Sequence, residues 1–232
     1  MVEYDRASEH KGVVAVTTVE EVTLWVHVAT GFLALAAGAG ALATEKGGRR
    51  HRRFGRTYVY SMAVVSGTAL VLYPLGPGFW RLFLGLVAIF SFYFAFSGYR
   101  VLSRKRPADE PTGVDWGAVG LFGVASAGLV VMGGLLFRSG NGFAPVLLVF
   151  GGIGVVFAGT DLRSFRGETD PGAWVGQHVV RMGAGYIATV SAFSAVNFVF
   201  LPPVLRWLWP TLLGTPLLVY FQRKYESRLA PG

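Results

Sequence analysis

His51, Asp161, His178 and Arg181 are the residues whose types can do chemistry together. Two imidazoles and a carboxylate, here His51, His178 and Asp161, can bind a divalent metal, and the metal can activate water. Two imidazoles alone can hold a haem. An arginine beside a histidine can hold a quinone or an anionic headgroup. The same four residues also suit a structural arrangement, in which Asp161 neutralises Arg181 and the histidines cap loops or touch phosphates. His178 and Arg181 are three residues apart, so on a helix they share a face. No catalytic role is assignable, because the sequence holds no His-x-x-x-His, no Glu beside a histidine pair and no Ser in a nucleophile turn. His27 and Asn197 are secondary candidates. His27 lies in another apolar run, near the opposite surface, and a crossing helix spans about 30 Å. It therefore cannot share a ligand with His178, and a hydrogen bond to a neighbouring helix is its expected role.

The elements that position these residues are apolar runs. The chain is 53% hydrophobic and 15% charged, with 32 glycines in 232 residues. A soluble domain carries about 25% charged residues and about 7% Gly. Low charge with abundant Gly fits membrane helices, where small residues let backbones approach. The expected fold is all-α: a polytopic bundle of seven transmembrane helices over 22–44, 57–73, 79–102, 114–137, 143–160, 173–200 and 204–221. The expected organisation is a polar tail at 1–21, a transmembrane domain at 22–221 and a short basic tail at 222–232. The segment 41–43 resembles a signal cleavage site, but the preceding residues are net negative and the apolar run is too long. It reads as a retained span. Gly151, Gly152 and Gly154 superficially match a dinucleotide loop, but they follow no strand and sit inside an apolar run. Pro210 and Pro216 interrupt the last span, as neighbouring membrane helices allow. The absence of Cys excludes disulfides, thiolate metal sites and iron–sulfur clusters.

Charge sets the expected orientation. The basic loop 45–56 carries Lys46, Arg49, Arg50, Arg52, Arg53 and Arg56. With that loop in the cytoplasm, cytoplasmic segments hold fifteen of the 21 Lys and Arg residues and outer segments hold five. This asymmetry over short loops places the amino terminus outside and the carboxyl terminus in the cytoplasm, and a prokaryotic cytoplasmic membrane is the expected location. Tyr58, Tyr99, Trp116 and Trp174 fall at the inner edge, and Trp80, Trp207 and Trp209 at the outer one. The +8 net charge does not point to nucleic acid, because the charges flank apolar runs instead of forming a basic face. The expected partners are the lipid bilayer and, at the basic loop, anionic headgroups, each cation contributing about 1 kcal/mol near the surface. His51, Asp161, His178 and Arg181 all fall at the inner depth, so four spans can converge on one polar pocket there.

Two stretches carry a resemblance. One is Lys46, Gly47, His51, Arg52, Gly55, Arg56 and Tyr58, after a span with His27 and Gly31. The other runs from His178 to Asn197, followed by Leu201, Pro202, Trp209, Pro210, Thr211, Gly214, Thr215 and Pro216. Together they resemble a family of uncharacterised prokaryotic polytopic membrane proteins known only as a domain of unknown function. The resemblance implies a multi-span inner-membrane protein and singles out His27, His51, His178 and Arg181.

The leading expectation is a membrane protein whose cytoplasmic-side pocket binds a small or lipidic ligand, acting as a permease, sensor or accessory subunit. The alternatives are a metal- or haem-dependent enzyme or redox protein using His51 and His178, and a subunit of a membrane assembly. Topology is open to a direct check. Reporter fusions after Lys105 and after Gly140 are expected on opposite sides of the membrane, and same-side signals would rule out this arrangement.

Overall fold

The computed structural model describes residues 2–106, 108–167 and 172–226, with side chains for 17–106, 108–167 and 172–225. It is all helical: α1 Val2–Ala43, α2 Arg49–Leu75, α3 Phe79–Arg100 with a 3-10 turn at Val101–Ser103, α4 Gly113–Arg138, α5 Ala144–Ser164, α6 Ala173–Asn197 and α7 Pro203–Glu226. Six stretches are long and apolar enough to cross a membrane: Thr17–Ala43, Arg49–Leu75, Phe79–Ser103, Gly113–Arg138, Ala144–Ser164 and Ala173–Asn197. Arg206, two internal prolines and two Trp dilute the apolar character of α7. It nonetheless lies along α6, from Trp209 at Ser194 to Leu218 packed over Gly183. Large apolar side chains such as Val124 and Phe137 face outward, 74% and 69% exposed, as lipid-facing positions do.

Short connections alternate the helix directions, so one end of the bundle gathers the end of α1, the start of α2, the ends of α3 and α5 and the starts of α4 and α6, and with them most of the basic residues. We call it the basic end. Helix α3 is the central element: 61% of its apolar stretch is buried, against 17–39% for the other five. It packs on α2, α4 and α6. Its aromatics build the main core, where Phe83, Phe90, Tyr93 and Phe94 meet Phe122, Phe150 and Trp207. A smaller cluster of Ala34, Ala37, Tyr58, Val59, Met62 and Ala95 joins α1, α2 and α3. At the end opposite the basic one, Arg81 bonds Glu20 and ties α3 to α1.

Several sequence expectations shift. The helix of α1 reaches back to Val2, through the stretch read as a polar tail. The basic stretch is mostly not a loop. Only the residues around Gly47, which takes a positive φ of 78°, form the turn, and the arginines lie in the first two turns of α2. Arginine is a good helix former, so loss of apolarity does not mark the helix end there. Pro74 sits inside α2, which runs on to Leu75, because one missing hydrogen bond at a last turn costs little. Asp161 is likewise inside α5, not in the following loop. Tyr58 and Trp207 are interior residues, 1% and 8% exposed, and not interfacial anchors. Arg228, one of the basic residues assigned inside, lies outside the described residues.

The glycines of α5 are packing positions. A Cβ on Gly151 would lie 2.7 Å from the Val130 backbone nitrogen and 2.9 Å from the Ser126 carbonyl of α4, whereas one on Gly152 meets nothing. Overpacking of this kind costs about 1–3 kcal/mol, and backbone cannot rotate aside. Gly151→Ala is expected to destabilise the protein by about that amount in detergent unfolding. Gly152→Ala is expected to be neutral or to stabilise by up to about 1 kcal/mol, because Ala is the better helix former.

Candidate functional site

The basic end brings α3, α4, α5 and α6 around a small cleft lined by Tyr93, Ser97, Arg104, Asp161, Gln177 and Arg181, among others. Its interior is about 10 Å³, the size of a single water. Asp161 is 2% exposed and Arg181 8%. They form a two-pronged pair: one guanidinium nitrogen of Arg181 donates to Asp161 Oδ2 at 2.6 Å, and the other donates to Oδ1. The Tyr93 hydroxyl donates to Asp161 Oδ2 as well. The ring of Tyr93 is held by stacking on Phe122, with centroids 4.0 Å apart and an interplanar angle of 11°. One carboxylate thus locks α3, α5 and α6 together.

A second carboxylate lies beside it. Asp115 is 3% exposed and accepts from Arg100 Nε at 3.0 Å and Nη2 at 2.8 Å. It also closes a capping box with Thr112 at the start of α4, satisfying helix-end N–H groups reciprocally. Arg104 is the third guanidinium of the cleft, and its nearest carboxylate contact is Asp115 Oδ1 at 4.0 Å. Its face rests on the Phe165 ring, 4.8 Å from the centroid. Its Nε is buried with no acceptor among the described residues. Burial holds the Arg104 guanidinium below its ordinary value, but an arginine remains cationic in proteins. Around this cleft, three guanidiniums therefore face two carboxylates, and each carboxylate is already neutralised by a partner other than Arg104.

The two histidines form a separate pair. His51, in the first turn of α2, has its Nδ1 3.0 Å from the Ala41 carbonyl of α1. His178 of α6 has its Nδ1 2.7 Å from the Gly98 carbonyl of α3. The ring centroids are 6.3 Å apart with planes at 76°. Close approach makes the His178 contact possible: a Cβ on Gly98 would lie 3.0 Å from the Met182 backbone nitrogen.

The expected single pocket is thus divided. Asp161 and Arg181 are together, and His51 and His178 are together, but Asp161 does not join the histidines as a third metal ligand. Among the described residues, no group of three His, Asp or Glu is placed to hold a metal ion. His27 Nδ1 lies 3.0 Å from the Val65 carbonyl and 2.9 Å from Thr68 Oγ1 of α2. Asn197 donates to the Phe193 carbonyl one turn back in its own helix, at 2.8 Å. Tyr93, Arg104 and Asp115 belong to the cleft and were not singled out by sequence reasoning. Only Asp115 carried a readable signal, the Thr-x-x-Asp spacing at a helix start.

Removing one partner of a buried ion pair leaves a charge stranded, which costs about 3–5 kcal/mol, whereas replacing both with apolar residues can be near neutral. Asp161→Ala is expected to destabilise by about 3–5 kcal/mol in detergent unfolding. The double variant Asp161→Leu with Arg181→Met is expected to be markedly less destabilised than that single change. Additive losses would rule out the coupling.

The chain finds no match among curated proteins or among solved structures. A family model described as a predicted membrane protein (DUF2306) matches residues 24–152. The match runs from α1 into α5 and takes in His27, His51, Arg104 and Asp115, while Asp161, His178 and Arg181 lie beyond it. It covers more than half of a chain whose helices are built to cross a membrane, and the chain belongs to this family of multi-pass membrane proteins.

Proposed function

We propose that this integral membrane protein binds a small anionic group, a phosphate or carboxylate, in the cleft of the basic end. The observation that carries the reading is the buried Nε of Arg104, which has no acceptor among the described residues, on a guanidinium whose carboxylate contact is a long 4.0 Å to Asp115, beside two carboxylates that Arg100 and Arg181 already neutralise. A buried donor without an acceptor is disfavoured, and an anionic oxygen is the complement that the Arg104 Nε lacks. The cleft interior admits one such oxygen, so the rest of the ligand stays outside its mouth. The Gln177 side chain, which has no hydrogen-bond partner among the described residues and lines the same cleft, supplies a further donor.

Orientation and surroundings favour a lipid phosphate as the source. The basic end is assigned to the cytoplasm by the positive-inside asymmetry, with α7 as a seventh span beside α6, and the cytoplasmic leaflet carries anionic lipid. Arg49, Arg50, Arg52, Arg53 and Arg56 are exposed in the first turns of α2, and no salt bridge among the described residues uses them. A helix N-terminus already carries positive potential, so these five arginines gain from external anions. Lys46, by contrast, caps the end of α1 by donating to the Ala41, Leu42 and Thr44 carbonyls.

The test compares nanodiscs of phosphatidylglycerol, of phosphatidylcholine, and of phosphatidylcholine with added inorganic phosphate. Bound anionic lipid is counted by native mass spectrometry. A hydrogen bond to a charged group contributes about 1.5–3 kcal/mol, so Arg104→Gln is expected to weaken retention of phosphatidylglycerol roughly 10- to 100-fold. Retention that depends on Arg104 identifies the lipid headgroup. Thermal stabilisation by inorganic phosphate alone, lost in the same variant, identifies a soluble anion. Identical behaviour of wild type and Arg104→Gln in all three would overturn the reading.

A further inference from the structure

We infer that His51 and His178 together form a metal-binding site, taking one late first-row transition metal through both Nε2 atoms, either as a free ion or as the iron of a haem. This goes beyond the anion cleft and uses none of its residues.

The tautomers carry the first part of the argument. A carbonyl oxygen only accepts, so the short contacts to Ala41 and Gly98 place a proton on Nδ1 of each neutral ring. Each Nε2 is then left as a bare lone pair. Anchoring of Nδ1–H by a backbone carbonyl is also how proteins orient metal-ligating histidines and raise their basicity. Neither Nε2 has a hydrogen-bond donor among the described residues, and the two cannot bond one another, because both are acceptors. Both side chains are half-buried, so the site remains reachable.

Distance carries the second part. Two imidazoles that bind one metal through Nε2 at about 2.0–2.1 Å place their ring centroids roughly 5 Å apart for a tetrahedral angle and roughly 6.4 Å apart for a linear one. The observed 6.3 Å lies at the linear end. With both Nε2 atoms turned to a shared ion, that separation would suit two-coordinate Cu(I) or the iron of a haem, and imidazole suits both metals. Among the described residues no third protein ligand stands near, so a tetrahedral Zn(II) site built from them would need two outside ligands. Among the described residues the surroundings are mainly cationic, with Lys105 over Trp174, 4.8 Å from its centroid, and with the arginines of the α2 start. A positive neighbourhood disfavours a bare divalent ion, whereas a monovalent ion meets less repulsion and a haem brings its own negative carboxylates.

The experiment loads detergent-purified full-length protein separately with Cu(I), Zn(II) and haemin, removes excess, and measures bound metal with a visible spectrum on the same samples. The expected result is close to one equivalent of Cu(I) or of haem. It should fall at least tenfold in His51→Ala and in His178→Ala, with the double variant no lower than either, and persist in His27→Ala. A bound haem is expected to show the low-spin spectrum of two imidazole ligands, and bound copper to show imidazole scattering in X-ray absorption. These signatures are read on wild-type protein and do not depend on the variants folding. Folded wild-type protein that retains none of the three, or metal held without imidazole ligation, would overturn the inference. Retention unchanged in both single variants would do the same.

Discussion

Asp161 and Arg181 are ionised groups inside a membrane-spanning bundle, and neither is tolerable there without the other. Satisfying the pair dictates much around it. The carboxylate needs its remaining lone pairs filled, and the Tyr93 hydroxyl fills one. Tyr93 must then lie flat on Phe122, which sets the rotation of α3 against α4. Arg181 lies 5.8 Å from the centroid of Phe157, so aromatic rings wall one side of the pair while the other faces the small cleft. The low dielectric that makes the charges costly apart also makes them strong together. The central helix α3, the most buried of the set, is held at this end by that carboxylate together with the Arg100–Asp115 pair and the His178 contact to the Gly98 carbonyl.

Away from the charges, shape does the same work. Burial in lipid offers no hydrophobic gain between helices, so close packing and interhelical hydrogen bonds hold them. Gly151 lets the α5 backbone approach that of α4, and where α6 meets α7 Gly183 and Gly214 make room for the side chains of Leu218 and Ile187. The aromatics of α3 fill the broader gaps. Single polar contacts add register: Tyr58 to Thr189, Trp209 to Ser194, Ser66 to the Ala88 carbonyl. Each lies between two helices and leaves few buried polar groups unmatched.

Much of this was legible in the sequence, for identifiable reasons. Run length and composition gave the helices, because a span in hydrocarbon must saturate its own backbone. Depth along each span groups His51, Asp161, His178 and Arg181, and in the fold Asp161 contacts Arg181 while His51 lies beside His178. What depth does not encode is rotation. Which of the four touch each other depends on how each helix is turned about its axis, and packing decides that. The omissions have the same origin. Tyr93 is one hydroxyl in a Phe-rich run, and nothing local distinguishes it from a core aromatic. Arg104 resembles any loop cation, and it becomes distinctive only once Asp115 and Asp161 are seen to be taken by other arginines. The start of α2 was misplaced by about two turns because apolarity was used to mark a helix that the arginines themselves continue.

The division of the expected pocket follows from helix geometry. Successive residues turn by about 100°, so Gln177 and Arg181, four apart, point within about 40° of one another, and both line the cleft. His178 is turned about 100° from Gln177 and about 60° from Arg181, enough to direct it past α3 to the Gly98 carbonyl and His51. One turn of α6 thus serves two clusters of opposite chemistry. On one side lie three guanidiniums around two carboxylates, and on the other two imidazoles anchored through Nδ1. Gly98 joins them, because the close approach it permits between α3 and α6 both admits the His178 hydrogen bond and seats Met182 one residue after Arg181. A shift of α6 along α3 that disturbed one cluster would disturb the other, so the two sites share a single mechanical support even though they share no ligand.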